Sequence, residues 1–86
     1  MKKFNVNYQI DNKEMLIGRE PHDQTRYDFD EPIEAESQEE AIALALQWFQ
    51  EQSSMNSEID EEKERITFYE DEEVISQYYN FEAEED

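Results

Sequence analysis

The feature that most constrains this chain is an alternating acidic segment that leads directly into an amphipathic stretch. From Tyr27 to Glu36, apolar and acidic side chains alternate around a central Glu31-Pro32 pair. Because successive side chains of a strand point to opposite faces, this pattern predicts a strand from about Thr25 to Ala35 with one apolar and one anionic face. Pro32 has no backbone N–H to donate, which predicts a sheet edge or a bulge at that position.

A helix is expected to follow over residues 38–52. Ser37 precedes Glu40 by three positions, the spacing of a capping box in which the serine hydroxyl accepts the Glu40 backbone N–H and the glutamate side chain reaches back. Apolar residues then recur with helical periodicity and form a broad stripe, which predicts packing across a sheet. Trp48 and Phe49 belong to this stripe, and we expect both rings to lie in the core.

The rest of the chain indicates a small sheet around this helix. Four further segments have the alternation or the β-propensity of strands: residues 4–10, 15–17, 65–69 and 74–81. Residues 53–62 are polar without a clear period and predict a connector. The chain is therefore expected to be α+β, with a four- to five-stranded, mainly antiparallel sheet and one helix, about 38–52, packed on one face. Its 86 residues predict a single domain over 1–81, followed by a frayed acidic tail over 82–86.

Charge is distributed very unevenly along the chain. Residues 1–27 contain five Lys or Arg and four Asp or Glu, whereas residues 28–86 contain two and twenty-one, within a formal net charge of −18. So acidic a chain would usually be disordered, but an aromatic content of 13% and clear periodicity predict a folded domain. Solubility of a small domain needs a net charge of magnitude about 2–8, so the excess indicates a function for the acidic surface.

The sequence offers little for catalysis, cofactors or membranes. It has no cysteine, one glycine, and one histidine, His22, which follows Pro21 in a polar segment; thiolate chemistry and glycine-rich phosphate loops are thus excluded. The acidic runs at 60–62 and 70–73 lack the spacing of an EF-hand loop. We expect no enzyme activity, no cofactor and no dedicated metal site. No segment approaches the roughly 20 apolar residues of a membrane span, and nothing resembles a signal peptide, so we expect a cytoplasmic protein.

The acidic face of the predicted strand is the candidate interaction surface. Side chains two positions apart along a strand lie about 6.6–6.8 Å apart, a spacing comparable to that of neighbouring phosphates on a nucleic-acid strand. We expect this ladder, the first helical turn and the acidic turn to supply the carboxylates that bind a partner. These residues are Asp28, Asp30, Glu31, Glu34, Glu36, Glu39, Glu40, Glu70, Asp71, Glu72 and Glu73.

In size, charge, lack of cysteine and the acid clusters at Asp28–Glu40 and Glu70–Glu73, the chain resembles the small acidic DNA-mimic inhibitors of phages and mobile elements. These include anti-CRISPR, anti-restriction and uracil-DNA glycosylase inhibitor proteins. The resemblance implies that carboxylates replace phosphates in the basic nucleic-acid-binding site of an enzyme and pair with its Arg and Lys side chains. It also implies no direct binding to nucleic acid. A second hypothesis stays open: a small acidic adaptor that binds a basic protein without imitating nucleic acid.

Overall fold

The computed structural model describes residues 1–12 and 26–86. It has an α+β fold in which a helix packs on one face of a six-stranded sheet. The elements are β1 (Lys2–Asn12), β2 (Tyr27–Asp28), β3 (Ile33–Ala35), α1 (Gln38–Gln52), β4 (Asn56–Asp60), β5 (Arg65–Glu70) and β6 (Glu73–Glu85). The strand order is β2-β1-β6-β5-β4, β3 also pairs with β1, and every described pairing is antiparallel.

A bulge in β6 shapes the centre of the sheet. At Asn80, β6 has one residue more than the facing part of β1, and Asn80 has a φ of 52°, in the left-handed region that asparagine tolerates. Phe81 and Tyr78 are three positions apart, so a regular strand would place them on opposite faces. The bulge brings both to the face that α1 covers, where their ring centroids lie 5.3 and 5.6 Å from that of Tyr8.

The core lies between α1 and this face of the sheet. Its buried apolar residues are Phe4, Val6, Ala35, Ala41, Ile42, Ala45, Leu46, Ile66, Phe68, Phe81 and Ala83. Two of the helix positions, Ala41 and Ala45, are fully buried, and their short side chains let the helix backbone approach the strands closely. Phe49 is half-buried and packs against this core, as the sequence predicts.

The helix begins and ends at the predicted residues. The Ser37 hydroxyl accepts the Glu40 backbone N–H at 3.2 Å, which confirms the predicted cap. The Glu40 carboxylate accepts the N–H of Glu36 at 3.3 Å, one residue earlier than in a standard capping box. At the other end, the Ser53 N–H donates to the Phe49 carbonyl at 3.2 Å. None of the described helices is both long and apolar enough to cross a lipid bilayer.

The prediction of four or five strands is wrong, because the sheet has six. The strand predicted over 25–35 is divided into β2 and β3, and residues 56–60, predicted as part of a connector, form β4. β4 is hard to recognise because its one large apolar side chain is Ile59, which lies opposite Ile66 of β5. The short strand expected at 15–17 lies outside the described residues.

The expectation of a frayed tail over 82–86 is also wrong. β6 extends to Glu85, which lies opposite Phe4 of β1. The Asp86 N–H donates to the Lys3 carbonyl at 2.8 Å, and Ala83 is buried against the core. Backbone pairing and one buried methyl group therefore order a segment whose composition suggested disorder.

Trp48 is not a core residue, contrary to the sequence-based expectation. Its side chain is 46% exposed, and Leu44, one turn earlier, is 38% exposed. The buried stripe of α1 runs through Ala41, Ala45 and Leu46. Successive side chains of a helix are rotated by about 100° around its axis. On this basis Trp48 points roughly 90° and Leu44 roughly 130° away from the centre of the buried stripe. The apolar arc is wider than the part that the sheet covers.

Candidate anionic interface

The acidic edge of the sheet is divided by an irregularity at residues 29–32. Asp28 pairs with Asn7 of β1, and Ile33 pairs with Phe4. Two residues of β1 lie between these partners, whereas four residues lie between Asp28 and Ile33 on the acidic edge. Pro32 cannot donate to the ladder, and the backbone bends in the two residues before it. The evenly spaced ladder of carboxylates predicted for this edge is therefore not formed.

Two carboxylates of this edge point to the back face, by which we mean the face of the sheet opposite α1. Asp28 lies opposite Asn7 and Glu34 lies opposite Lys3, and these β1 positions alternate with the core residues Phe4 and Val6. Both carboxylates are exposed. Directly paired residues share a face, so the register places the two acids on the side away from the helix.

Two acids of the segment predicted to be a frayed tail complete this surface. Glu82 and Glu84 of β6 lie opposite Asn7 and Asn5, and both are exposed. We call Asp28, Glu34, Glu82 and Glu84 the back-face patch. With strands about 4.8 Å apart, its two rows, on either side of β1, are separated by roughly 10 Å. The alternation Glu82-Ala83-Glu84 was the signal of a strand that could have identified them.

The back-face patch is partly neutralised by cations of the less acidic segment. The Arg26 guanidinium approaches the Glu82 carboxylate at 3.8 Å and also donates to the Asn7 side chain and to the Asn80 carbonyl. Lys3 lies opposite Glu34. Four carboxylates thus face two basic side chains on this surface.

Glu36, Glu39 and Glu40 lie at the N-terminus of α1. Carboxylates are favourable there because the helix dipole presents positive charge at that end, and Glu40 is further held by the backbone N–H of Glu36. Glu39 is exposed and lines a groove on one flank of the helix. The three residues stay close in space, as their sequence positions require.

The groove beside Glu39, which we call the turn groove, has a volume of about 430 Å³. Its floor is aliphatic, and its rim includes three acids of the β4–β5 turn that the sequence analysis did not assign to the interface. They are Glu61, Glu62 and Glu64. Within the described part of the chain, no three acidic or histidine side chains are arranged to hold a metal ion. The acids of the turn groove therefore form an anionic surface and not a metal site.

The Trp48 groove lies beside the helix at the divided edge. It has a volume of about 420 Å³, and its lining is Tyr8, Asp28, Phe29, Asp30, Glu31, Trp48 and Phe49. The three acids are exposed, and Asp28, at the edge of the sheet, borders both this groove and the back face. Burial is the main cause that raises the pKa of the Tyr8 hydroxyl. The neighbouring Tyr78 hydroxyl and the charges of Asp30 and Asp28 raise this pKa further. The groove therefore combines aromatic walls with a negative electrostatic environment.

The acidic turn at Glu70, Asp71, Glu72 and Glu73 is far from the other predicted site residues. Glu70 ends β5 and Glu73 begins β6, just before the part of β6 in which Ser76 lies opposite Asn12. Glu34 lies opposite Lys3, at the other end of the same strand. Nine residue steps of β1 span about 30 Å, so the structure does not join this turn to the edge acids in one surface.

Few ion pairs offset the acidic surface among the described residues. They join Lys2 to Glu85 at 3.5 Å, Arg26 to Glu82 at 3.8 Å, and Arg65 to Asp60 at 3.9 Å. None of these pairs involves the acids that line the turn groove or the Trp48 groove. The carboxylates of both grooves are therefore not neutralised by ion pairs with other described residues.

Comparison with protein-family models, with curated proteins and with solved structures finds no match to this chain.

Proposed function

We propose that this protein binds a basic surface of another protein. The observation that supports this proposal is an excess of carboxylates over basic side chains. The back-face patch has four acids against two bases on paired strands, and the acids of the two grooves beside α1 form no ion pair with another described residue. Because the backbone that carries the back-face patch is already paired in the sheet, no entropy is lost in ordering it when a cationic partner docks. The same charge accelerates association by electrostatic steering, in a manner that salt weakens.

The more specific form of the proposal is a DNA-mimic inhibitor that occupies the nucleic-acid-binding site of a DNA- or RNA-processing enzyme in the cytoplasm. The back-face patch favours it, because two rows of carboxylates flank a polar strip of β1 formed by Lys3, Asn5 and Asn7. Arg and Lys side chains that bind phosphate oxygens also bind carboxylate oxygens, with Arg doing so bidentately. No direct binding to nucleic acid is expected, since both molecules are polyanions.

An acidic adaptor that does not imitate nucleic acid is the second candidate. The two grooves beside α1 favour it, because each combines acids with an apolar floor. A phosphate backbone has no counterpart to such a floor. The two candidates thus differ in the part of the surface that contacts the partner.

Affinity capture with competition tests the proposal. The immobilised protein is exposed to cell lysate at about 0.05 M salt, a concentration that screens charges only weakly, and captured proteins are identified by mass spectrometry with and without excess duplex DNA. We expect a basic nucleic-acid-binding protein that DNA displaces. A basic partner that DNA does not displace would contradict mimicry and favour the adaptor. Capture of no basic protein would contradict the whole proposal.

A matched pair of variants locates the interface. The back-face variant Glu34→Gln, Glu82→Gln, Glu84→Gln removes three charges beside β1, and none of these residues lines the Trp48 groove. The control variant Glu70→Gln, Asp71→Asn, Glu72→Gln removes three charges from the remote turn. We expect the back-face variant to weaken the capture that duplex DNA displaces by at least about tenfold. The control variant should weaken it by about threefold or less, because close ion pairs contribute more than screened distant charges. Equal effects would show that net charge, and not the back-face patch, governs binding.

A further inference from the structure

We infer that the Trp48 groove binds an arginine side chain of the basic partner, with the guanidinium stacked on the aromatic rings and paired with Asp30 and Glu31. This inference rests on the proposed function and names one side chain that the partner would insert.

The floor of the groove is a set of three rings in mutual contact. The centroids of Phe29 and Trp48 are 5.2 Å apart, those of Trp48 and Phe49 are 5.4 Å apart, and those of Phe29 and Phe49 are 5.2 Å apart. All three pairs are edge-to-face, which fixes the orientation of each ring. Phe29 and Phe49 are half-buried, whereas Trp48 is 46% exposed. A rigid and accessible tryptophan is the type of residue that dominates binding energy in protein interfaces.

The rim of the groove is anionic and is held in place by the backbone. The Phe29 N–H donates to the Val6 carbonyl at 2.9 Å, and pairing with β1 resumes at Ile33. The two carboxylates of Asp30 and Glu31 therefore project from a bend anchored on both sides. Neither forms a side-chain hydrogen bond or an ion pair with another described residue, so both can pair with a partner.

These two observations together select the occupant. An anionic ligand would be repelled by the rim, and an apolar side chain would desolvate two carboxylates without compensating them. A cation satisfies the carboxylates and is attracted by the faces of aromatic rings. Arginine fits better than lysine, because its planar guanidinium can stack on a ring while its N–H groups pair with carboxylates, whereas the lysine ammonium is a strongly hydrated point charge.

The turn groove offers an internal comparison. It is similar in volume and also acidic, but its floor is formed by Ile42, Ala43 and Leu46, none of which is aromatic. Cations are attracted there by charge alone, so no preference for arginine over lysine is expected. The two grooves therefore separate the contribution of the rings from that of the net charge.

The intrinsic fluorescence of Trp48 provides the test, because it is the only tryptophan in the chain. The protein is titrated with nona-arginine and with nona-lysine, peptides of equal charge, at about 0.15 M salt. We expect a saturable change in emission and about three- to tenfold tighter binding of nona-arginine, the range expected from a partly desolvated cation–π contact with a carboxylate partner. Equal affinity for the two peptides would overturn the inference.

Matched double variants assign the effect to the groove. Asp30→Asn with Glu31→Gln should weaken nona-arginine binding about three- to tenfold and remove most of its preference over nona-lysine. Glu61→Gln with Glu62→Gln removes the same charge from the turn groove. This double variant should weaken the binding of both peptides equally and by about twofold or less, as expected for exposed charges. Equal losses in the two double variants would also overturn the inference. All four positions are exposed, and circular dichroism verifies that the variants fold.

A ring variant separates stacking from charge. Trp48→Leu should remove the preference for nona-arginine, measured with fluorescently labelled peptides by anisotropy, whereas Leu44→Ala, on the same exposed side of α1, should retain it. Retention of the preference in Trp48→Leu would contradict a role of the ring. If neither peptide binds the wild-type protein even at about 0.05 M salt, the proposed basic partner itself is contradicted. Binding of both peptides without preference contradicts only the arginine site.

Discussion

Leu46 and Leu44 show how strongly burial differs between two positions of one helix. Leu46 is 1% exposed and is among the largest fully buried side chains, whereas Leu44 is 38% exposed. Both residues are leucines in the interior of α1. Truncation to alanine therefore changes the helix propensity by the same amount at the two positions. Their contributions to stability should therefore differ mainly through packing.

We predict that Leu46→Ala lowers the free energy of unfolding by about 2–5 kcal/mol, because it removes buried methyl groups and leaves a cavity. Leu44→Ala should lower it by about 1 kcal/mol or less, as for other surface substitutions. Urea unfolding followed by circular dichroism measures both. Similar losses would mean that the buried stripe of α1 is centred elsewhere.

At the scale of elements, both edges of the described sheet carry features that oppose pairing with another sheet. The β2–β3 edge is interrupted at Pro32, which cannot donate to an added strand. The β4 edge carries Glu58 and Asp60. Charge and proline on edge strands reduce edge-to-edge aggregation, so the acidic composition also protects the described edges of this small sheet.

The β5–β6 turn is strained at two adjacent residues. Asp71 and Glu72 have φ values of 50° and 67°, the sign required at both central positions of a two-residue type I′ turn. The left-handed conformation costs about 1–2 kcal/mol for a residue with a Cβ atom, and glycine adopts it without that cost. The type I′ geometry joins the strands with the correct twist, although Asp-Glu is not a sequence that favours it.

We predict that Glu72→Gly raises the free energy of unfolding by about 0.5–1 kcal/mol, after subtraction of the greater entropy that glycine loses on folding. Glu72→Gln is the control, because it removes the same charge and keeps the Cβ atom. Urea unfolding of both variants separates the backbone effect from the charge effect. A control as stable as the glycine variant would assign the gain to electrostatics.

At the scale of the whole molecule, the surface charge opposes folding. Two like charges about 6.7 Å apart repel by about 0.6–0.7 kcal/mol in bulk water before screening. Summed over a net charge of −18, the repulsion reaches several kcal/mol, comparable to the stability of about 4–13 kcal/mol expected for a domain of this length. A basic partner would relieve this repulsion when it binds.

We predict that the melting temperature rises when sodium chloride is increased from about 0.05 to 0.5 M, because salt screens the repulsion between carboxylates. Chloride is chosen because sulfate would also strengthen hydrophobic burial. The control is the variant with three neutralised turn acids, whose increase should be smaller. A melting temperature that falls or stays constant would show that self-repulsion contributes little to the stability.

Local signals in the sequence were sufficient for the helix and for most strands. The Ser37 cap and the helical period predict 38–52 because they depend on hydrogen bonds and side chains within a few residues. The exposure of Trp48 could not be predicted, because the helical period defines an apolar arc but not which part of it the sheet covers. β4 was missed because its pairing with β5 stabilises a segment with only one large apolar side chain.

The amino-acid sequence by itself determined the α+β class, the bounds of α1 and the anionic character of the surface. These properties follow from periodicity, from capping and from counts of charge, which need no long-range contacts. Tertiary structure alone decided which acids are neighbours: it divided the edge at Pro32, brought Glu39 beside the β4–β5 turn, and placed Asp30 and Glu31 beside Trp48. Such groupings depend on strand order and register, which arise from packing between residues far apart in the chain.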